Sequence, residues 1–264
     1  MKLSYVIIFF ILLVNNTEKY LTKRDVFTQG VLIPCGSILN VTTINGNAGK
    51  CLYSGHDVMV LLEDLIKMVI AGKTNKGYDI YNACGVTYID DLLIVNKSYP
   101  LPHDYMPQDG KLLKIVQSAF NRMRADMDKL GMKVFTASGY RPFEYQQKLY
   151  DRYVEKEKQA HPNKDPVAIV DTYAARPGHS EHQTGLCFDL NSVTKVFGNT
   201  NEGKWVTKNC HKYGFIVRYP YGKQHITGFT YEPWHLRYVG ERLAAYLFKN
   251  KITLEEYLGI TSRY

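Results

Sequence analysis

Ser180-Glu-His-Gln-Thr-Gly-Leu-Cys-Phe-Asp189 and Glu232-Pro-Trp-His235 are the two stretches that decide the fold and chemistry of this 264-residue chain. Gly185 lets the first stretch turn into a short strand, and Pro233 keeps the second extended or turned. Around them, residues 92–264 mix strands and helices without a regular βαβ alternation. This pattern predicts an α+β fold, in which helices flank an antiparallel sheet that carries the site.

The two stretches together supply a predicted metal site, with His182, Asp189 and His235 as ligands. Imidazole nitrogen and carboxylate oxygen suit zinc, and three protein ligands leave one coordination position open. Glu232 can take a proton from an attacking water and pass it to a leaving amine. Each residue alone is more often structural, so the prediction of a zinc peptidase depends on the cluster. Cys187 could be a soft ligand, but we expect it to pack beside the site.

Composition and charge limit the class of protein. Hydrophobic residues make up 45% and charged residues 22% of the chain, which is typical of a globular protein. Lysine and arginine exceed aspartate and glutamate by 33 to 25, giving a net charge of +8. A basic surface suits nucleic acid, anionic lipid or an acidic polymer. No nucleic-acid-binding motif accompanies the charge, so we expect no nucleic acid partner and favour an anionic cell envelope.

The N-terminus indicates the compartment. Residues 5–14 form an unbroken apolar run after Lys2, which is shorter than the roughly 20 residues that span a bilayer. Residues 1–14 therefore predict a signal segment or a membrane anchor. No Ala-x-Ala cleavage site follows, and a buried element of the domain is the alternative. The protein is expected to be extracytoplasmic, either anchored in the cell membrane or secreted.

The sequence suggests an accessory region before the catalytic one. We expect residues 15–90 to form a tether and a small accessory subdomain of unknown role, and residues 91–264 to form the catalytic domain. Apolar residues at helical spacing predict a helix over residues 56–71. Of the five cysteines, Cys35 and Cys51 could form a disulfide outside the cell; the alternative is that all five are free.

Several helices and strands of the catalytic region are predicted directly from its sequence. Apolar stripes predict helices over residues 111–130 and 143–159, and a further helix is expected over 203–213. Extended runs predict strands over 186–190 and 215–219. Thr253-Leu-Glu-Glu256 is a capping-box signature for a last short helix.

Five motifs in order resemble the VanY-type D-alanyl-D-alanine carboxypeptidase family, whose relatives include L,D-carboxypeptidases. The resemblance covers residues 92–260, and the motifs that carry it are Ser138-Gly-Tyr-Arg141, Gln146, Ser180-x-His182-x-x-Gly185-x-x-x-Asp189, Tyr213-Gly-Phe-Ile-x-Arg218-Tyr219-Pro220 and Glu232-Pro-Trp-His235-x-Arg237-Tyr238-Val239-Gly240. Cys187 departs from the family, which usually has a small residue such as Ala or Ser there.

The resemblance implies roles for nine residues of this chain. It implies that His182, Asp189 and His235 bind Zn²⁺, that Glu232 is the general base and that Arg141 stabilises an oxyanion. With less support from the motifs, it implies that the substrate contacts Ser138, Gln146, Ser180 and Tyr219.

The resemblance implies a peptidoglycan stem peptide as the substrate and the bacterial cell envelope as the partner. The expected reaction removes the terminal D-Ala of a pentapeptide, which would also reduce vancomycin targets. Cleavage of tetrapeptides by an L,D-carboxypeptidase, a non-catalytic wall-binding module and a cross-bridge endopeptidase are the alternatives.

Overall fold

The computed structural model describes residues 17–107 and 110–264. The chain divides into two compact units, Met1–Val69 and Ile70–Tyr264. The predicted leader, residues 1–14, lies outside the described residues. Among the residues that are described, no helix is both long and apolar enough to cross a membrane.

The first unit is built from antiparallel strands. A five-stranded sheet has the order β6-β5-β4-β1-β7, and β2 pairs with β3 in a separate hairpin. A buried cluster that includes Ile33, Leu39 and Val58 forms its core. The strands are β1 (Glu18–Thr22), β2 (Val26–Thr28), β3 (Val31–Ile33), β4 (Ile38–Asn45), β5 (Ala48–Tyr53), β6 (His56–Leu61) and β7 (Leu65–Lys67).

The helix predicted over residues 56–71 is wrong. This segment forms β6, a 3-10 turn at Leu62–Asp64, β7 and the start of the next strand. Val58 and Val60 are buried between more exposed neighbours, which is the two-residue period of a strand. Their β-branched side chains favour a strand, and β6 pairs with β5 along its length. The helical spacing of apolar residues arose from two short strands joined by a turn.

A four-stranded sheet of order β11-β10-β9-β8 opens the second unit. Ile89 and Ile94 of this sheet pack with Leu247, Leu254 and Leu258 from the C-terminal helices. The strands are β8 (Val69–Lys73), β9 (Asp79–Ala83), β10 (Val86–Ile89) and β11 (Leu92–Ile94). The compact unit thus begins at Ile70, whereas the sequence set the start of the catalytic region at residue 91.

The central sheet of the second unit has the order β12-β13-β15-β14, and each pair of neighbouring strands is antiparallel. Its strands are β12 (Thr136–Ser138), β13 (Cys187–Leu190), β14 (Phe215–Tyr219) and β15 (Glu232–Tyr238). The helices of the unit are α1 (Lys114–Lys129), α2 (Phe143–Ala160), α3 (Pro166–Val170), α4 (Asn201–Asn209), α5 (Gln224–Thr227), α6 (Glu241–Asn250) and α7 (Leu254–Leu258). The predicted α+β fold is confirmed.

Strand alternation gives the central sheet two different faces. Phe188, Leu190 and Leu236 join the apolar stripe of α1, represented by Val116 and Met123, in a buried core. Because successive side chains of a strand point to opposite faces, the residues between them face the other side. That second face carries the candidate site.

The structure confirms the predicted capping box and shows the state of the cysteines. The capping box of α7 is present: Thr253 Oγ accepts a hydrogen bond from Glu256 N, and the Glu256 carboxylate accepts one from Thr253 N. Cys35 and Cys51 do not form a disulfide, and all five cysteines are free.

Candidate metal centre

Ser138, Asp189 and His235 form one row across the central sheet. Asp189 is the register partner of Ser138 on β12 and of His235 on β15. Directly opposed residues in antiparallel strands have Cβ atoms about 4.5–5.5 Å apart. The sheet register therefore brings together two of the predicted metal ligands that lie far apart in sequence.

An irregularity in β15 lets the side chains of Glu232 and His235 face the same cavity. Val217 pairs with Leu236 and Tyr219 pairs with Glu232, so β14 advances by two residues while β15 advances by four. In a regular strand, residues three apart point to opposite faces. The extra residues of this bulge re-aim the strand, and both side chains line one cavity.

His182 comes from a 3-10 turn, Glu181–Thr184, that leads into β13. Ser180 begins this turn, and its hydroxyl accepts a hydrogen bond from the backbone N–H of His182 at 3.3 Å. Gly185 ends the turn with φ +69°, and a Cβ there would lie 2.5 Å from the carbonyl oxygen of Lys111. Only glycine fits this position, and the turn fixes the direction of His182.

The three predicted metal ligands converge. His182 Nε2 lies 3.3 Å from Asp189 Oδ2, and His235 Nδ1 lies 2.9 Å from Asp189 Oδ1. The two imidazole rings have centroids 4.9 Å apart. Ligand atoms bound to one tetrahedral zinc ion, at about 2.0–2.1 Å each, stand roughly 3.3–3.4 Å from one another. The spacing between His182 and Asp189 matches this value, and His235 lies somewhat closer to the other oxygen of Asp189.

Hydrogen bonds on the far sides of both rings also fit a metal. His182 Nδ1 lies 2.6 Å from the carbonyl oxygen of Gly139. Since a carbonyl only accepts, Nδ1 carries a proton, and in the neutral ring Nε2 has the lone pair that a metal needs. His235 Nε2 lies 3.4 Å from Oε2 of Glu181, which leaves Nδ1 facing Asp189. Carbonyl and carboxylate groups behind metal-binding histidines are the usual means of orienting them. The residues present therefore fit zinc.

Glu181 belongs to a buried network of opposite charges. Its Oε1 accepts hydrogen bonds from Arg218 Nε at 2.7 Å and Arg237 Nη1 at 3.0 Å. Arg218 also donates to both oxygens of Glu255 on α7, at 2.8 and 2.6 Å. Burial alone would raise the pKa of Glu181, but the two guanidinium groups hold that pKa below its ordinary value. Glu181 therefore stays ionised behind His235.

Glu232, the predicted base, is buried at the wall of the cavity. Burial raises the pKa of Glu232 from its ordinary 4.5 to about 8, against the opposing effect of positive charge at His235. A carboxylate whose pKa lies near neutrality can both accept and return a proton.

Arg141 reaches the site from the loop after β12. Its Nη1 donates to Ser138 Oγ at 3.0 Å and lies 3.7 Å from Asp189 Oδ2, and its backbone N–H donates to the carbonyl of His182. Its Nε is buried, and no described residue accepts a hydrogen bond from it. Arg141 lines the cavity, whereas Ser138 is not among the residues that line it. The hydroxyl of Ser138 therefore helps to orient the guanidinium group of Arg141.

The remaining predicted substrate residues lie around a cavity of about 590 Å³. Gln146 Nε2 donates to the carbonyl of Ala175 at 2.7 Å, and Gln146 Oε1 is buried with no hydrogen-bond partner in the part of the chain that the structure describes. The ring of Tyr219 packs against His235 with centroids 5.1 Å apart. Gln146, Ser180 and Tyr219 all line the cavity.

Cys187 lies closer to the metal site than the sequence suggested. Its sulfur and one nitrogen of each imidazole, of His182 and His235, lie within 4.8 Å of one another. We expected Cys187 to pack beside the site at an awkward distance from it. Cys187 therefore lies among the donor atoms of the site.

Sequence reasoning did not identify Glu181 or Glu255. Glu181 stands next to His182 in the motif, and a carboxylate adjacent to a metal ligand was the available signal. Glu255 lies 74 residues from Glu181 in sequence (255 − 181), so no local pattern connects them.

A sheet with two oriented imidazoles, a carboxylate between them and a buried glutamate nearby has the groups of a metal-dependent hydrolase. The family model of VanY, D-alanyl-D-alanine carboxypeptidase, matches residues 109–241. The chain belongs to this family.

Known proteins resemble the chain along most of its length. YodJ of Bacillus subtilis (strain 168) is 40% identical over 190 residues, which cover 63% of this chain and 66% of YodJ. The chain thus spans just under two thirds of the length of that relative.

Two similar solved structures differ in their described activities. The structure of the LD-carboxypeptidase LdcB is 33% identical with a TM-score of 0.59, and the match covers 74% of this chain and all of LdcB. The D,D-pentapeptidase VanY of a VanB-type resistance cassette, in complex with Zn(II), is 33% identical with a TM-score of 0.55. That match covers 62% of this chain and 97% of VanY.

Proposed function

We propose that the protein is a zinc-dependent D,D-carboxypeptidase that removes the C-terminal D-Ala from peptidoglycan stem pentapeptides. The observation that carries the proposal is the convergence of His182, Asp189 and His235 beside the buried carboxylate of Glu232. Membership of the VanY family and the likeness to a zinc-containing VanY structure support it.

The side chains divide the work of hydrolysis. A bound zinc ion supplies Lewis-acid polarisation of the scissile carbonyl and lowers the pKa of water. Glu232 accepts the proton of the attacking water and returns it to the leaving amine. Arg141 offers guanidinium N–H groups to the oxygen that becomes negative in the transition state. Its buried, unpartnered Nε is consistent with a donor that the substrate completes.

The cavity is of a size that suits a peptide terminus. Its volume of about 590 Å³ lies within the roughly 300–1,000 Å³ of small-ligand sites. The free Oε1 of Gln146 can accept an N–H of the peptide. Ser180 and Tyr219 add polar groups to the wall beside the metal ligands.

A second candidate is an L,D-carboxypeptidase that acts on tetrapeptide stems. The observation that favours it is the match to the LD-carboxypeptidase LdcB, which covers more of this chain than the VanY match does. The other expected alternatives have less support. A wall-binding module has no need of Glu232, and an endopeptidase requires a groove that is open at both ends.

The proposed compartment follows from the substrate. Cross-linked peptidoglycan lies outside the cytoplasmic membrane, and the apolar segment at residues 5–14 supplies a signal or an anchor. The net charge of +8 favours an anionic envelope. Removal of D-Ala-D-Ala termini would reduce the targets of glycopeptide antibiotics.

Digestion of purified muropeptides, followed by mass spectrometry, tests these assignments. Loss of one alanine from the pentapeptide supports the first candidate, and loss from the tetrapeptide alone supports the second. Cleavage of cross-linked dimers without alanine release would indicate an endopeptidase. No release of alanine from either stem would contradict both carboxypeptidase assignments.

A further inference from the structure

Cys187 faces the metal site rather than the apolar core. It precedes Asp189 by two residues on β13, so both side chains point to the same face of the sheet. Phe188 and Leu190 point the other way, into the cluster beneath the sheet. That cluster contains a different buried cysteine, Cys210, and does not contain Cys187.

The Cys187 sulfur stands among metal-binding atoms. It forms, with one nitrogen each of His182 and His235, a group of donor atoms that lie within 4.8 Å of one another. All three residues are almost completely buried, with exposures of 0%, 2% and 4%. Thiolate and imidazole together are established zinc ligands, with Zn–S bonds of about 2.3 Å.

We propose that Cys187 is a sulfur ligand of the same metal centre, so that the ion is held by His182, Cys187, Asp189 and His235. The inference rests on the proposed metal-dependent function and adds a ligand to it. Four protein ligands and one reacting oxygen make five, a number that catalytic zinc sites reach in the transition state, so a sulfur ligand is compatible with catalysis. Because thiolate is a soft ligand, it shifts the preference of the site toward thiophilic cations such as Cd²⁺.

X-ray absorption at the zinc edge tests the ligand directly. The full chain loaded with Zn²⁺ should show one sulfur neighbour at about 2.3 Å in addition to nitrogen and oxygen neighbours at about 2.0–2.2 Å. Cys187→Ala should lose the sulfur neighbour and keep the others. Cys210→Ala, which removes a buried cysteine from the apolar core, is the matched control and should retain it.

Metal preference provides a second readout that does not depend on activity. Competition titrations with Cd²⁺ and Zn²⁺ should give a Cd/Zn affinity ratio that falls about tenfold or more in Cys187→Ala, an effect of the size seen when neighbours of a metal site are removed. Cys187→Ser, which keeps the volume but not the sulfur, should show the same fall. Cys210→Ala should match the wild-type protein.

The outcomes separate this inference from the proposed function. A zinc-loaded wild-type protein that releases alanine but shows only nitrogen and oxygen neighbours would overturn the sulfur ligand and leave the function standing. A Cd/Zn ratio unchanged in Cys187→Ala would also overturn it. If the wild-type chain binds neither cation, the ligand assignment and the zinc-dependent function both fail.

Discussion

The carboxylate of Glu181 lies 3.4 Å from Nε2 of His235, on the ring edge opposite the Nδ1 atom that faces Asp189. A carboxylate in this position fixes the ring and makes the other nitrogen a better donor to a metal. Arg218 and Arg237 stabilise its charge. Through Arg218, the network extends to Glu255 on the last helix.

Replacing Glu181 with glutamine should lower zinc affinity by about 10- to 100-fold. The amide keeps the shape of the side chain but loses the charge that supports His235. Chelator competition measures the affinity. Glu255→Gln is the matched control. It also removes a buried carboxylate that pairs with Arg218, but Glu255 is not hydrogen-bonded to His235. An equal loss of affinity in both variants would contradict the specific role of Glu181.

Glu255→Gln should instead lower the free energy of unfolding. Glu255 accepts two hydrogen bonds from the fully buried Arg218, and breaking a buried ion pair from one side costs about 3–5 kcal/mol. Glu241→Gln breaks an exposed pair with Arg122 and should cost about 1 kcal/mol or less. Urea denaturation measures both changes. A cost for Glu255→Gln no larger than that of the control would refute the prediction.

Replacing Arg141 with lysine should lower kcat by about 10²–10³-fold, the usual effect of losing one oxyanion donor. Lysine keeps the charge but not the planar fork that donates to Ser138 and faces Asp189. Ser138→Ala should have a smaller effect, because its hydroxyl accepts a hydrogen bond from Arg141 but does not line the cavity. Steady-state kinetics on the pentapeptide checks both. A Ser138 variant as impaired as the Arg141 variant would require a direct contact with substrate.

Glu232→Gln should reduce turnover by about 10²–10⁴-fold while zinc remains bound, because the general base is removed and the ligands are retained. Glu157→Gln alters a carboxylate that lines the same cavity and accepts a hydrogen bond from Tyr173, and it should keep most of the activity. Alanine release and zinc content are measured on the same samples. Near-normal turnover of Glu232→Gln would exclude it as the base.

The pH profile should carry the titration of Glu232. Below its pKa the carboxylate is protonated and cannot act as a base. Therefore kcat/KM should fall as the pH decreases through the pKa of Glu232. Burial raises this pKa from 4.5 to about 8, and a bound cation favours the ionised form. The acid limb should therefore lie between pH 4.5 and about 8, with zinc content constant across the range. If the residual activity of Glu232→Gln shows the same fall at acid pH, that fall must be assigned to another group.

The sequence predicted the site better than it predicted the first unit. The chemistry of His182, Asp189 and His235 limits what they can bind, and all three lie in the motifs on which the resemblance was based. The predicted helix over residues 56–71 failed because periodicity in a short apolar segment does not distinguish two strands and a turn from a helix. Pairing with β5 decided the outcome, and that partner lies outside the segment.

Other features of the site depend on tertiary structure and could not be predicted from the sequence. The pairing of Asp189 with His235 depends on sheet register, and the placement of Glu232 depends on a bulge opposite Val217 and Tyr219. Neither has a local sequence signature. The Glu181–Arg218–Glu255 network is likewise a product of tertiary structure, because its members come from a turn, a strand and the last helix.

Zinc content per chain, measured by elemental analysis of the wild-type protein and of single alanine variants, tests the central claim most directly. We expect one zinc ion per wild-type chain, retention of that ion in Glu232→Ala, and its loss in His182→Ala, Asp189→Ala and His235→Ala. Full zinc occupancy in His235→Ala, or an active wild-type protein that contains no metal, would contradict the convergence of these three side chains on one ion.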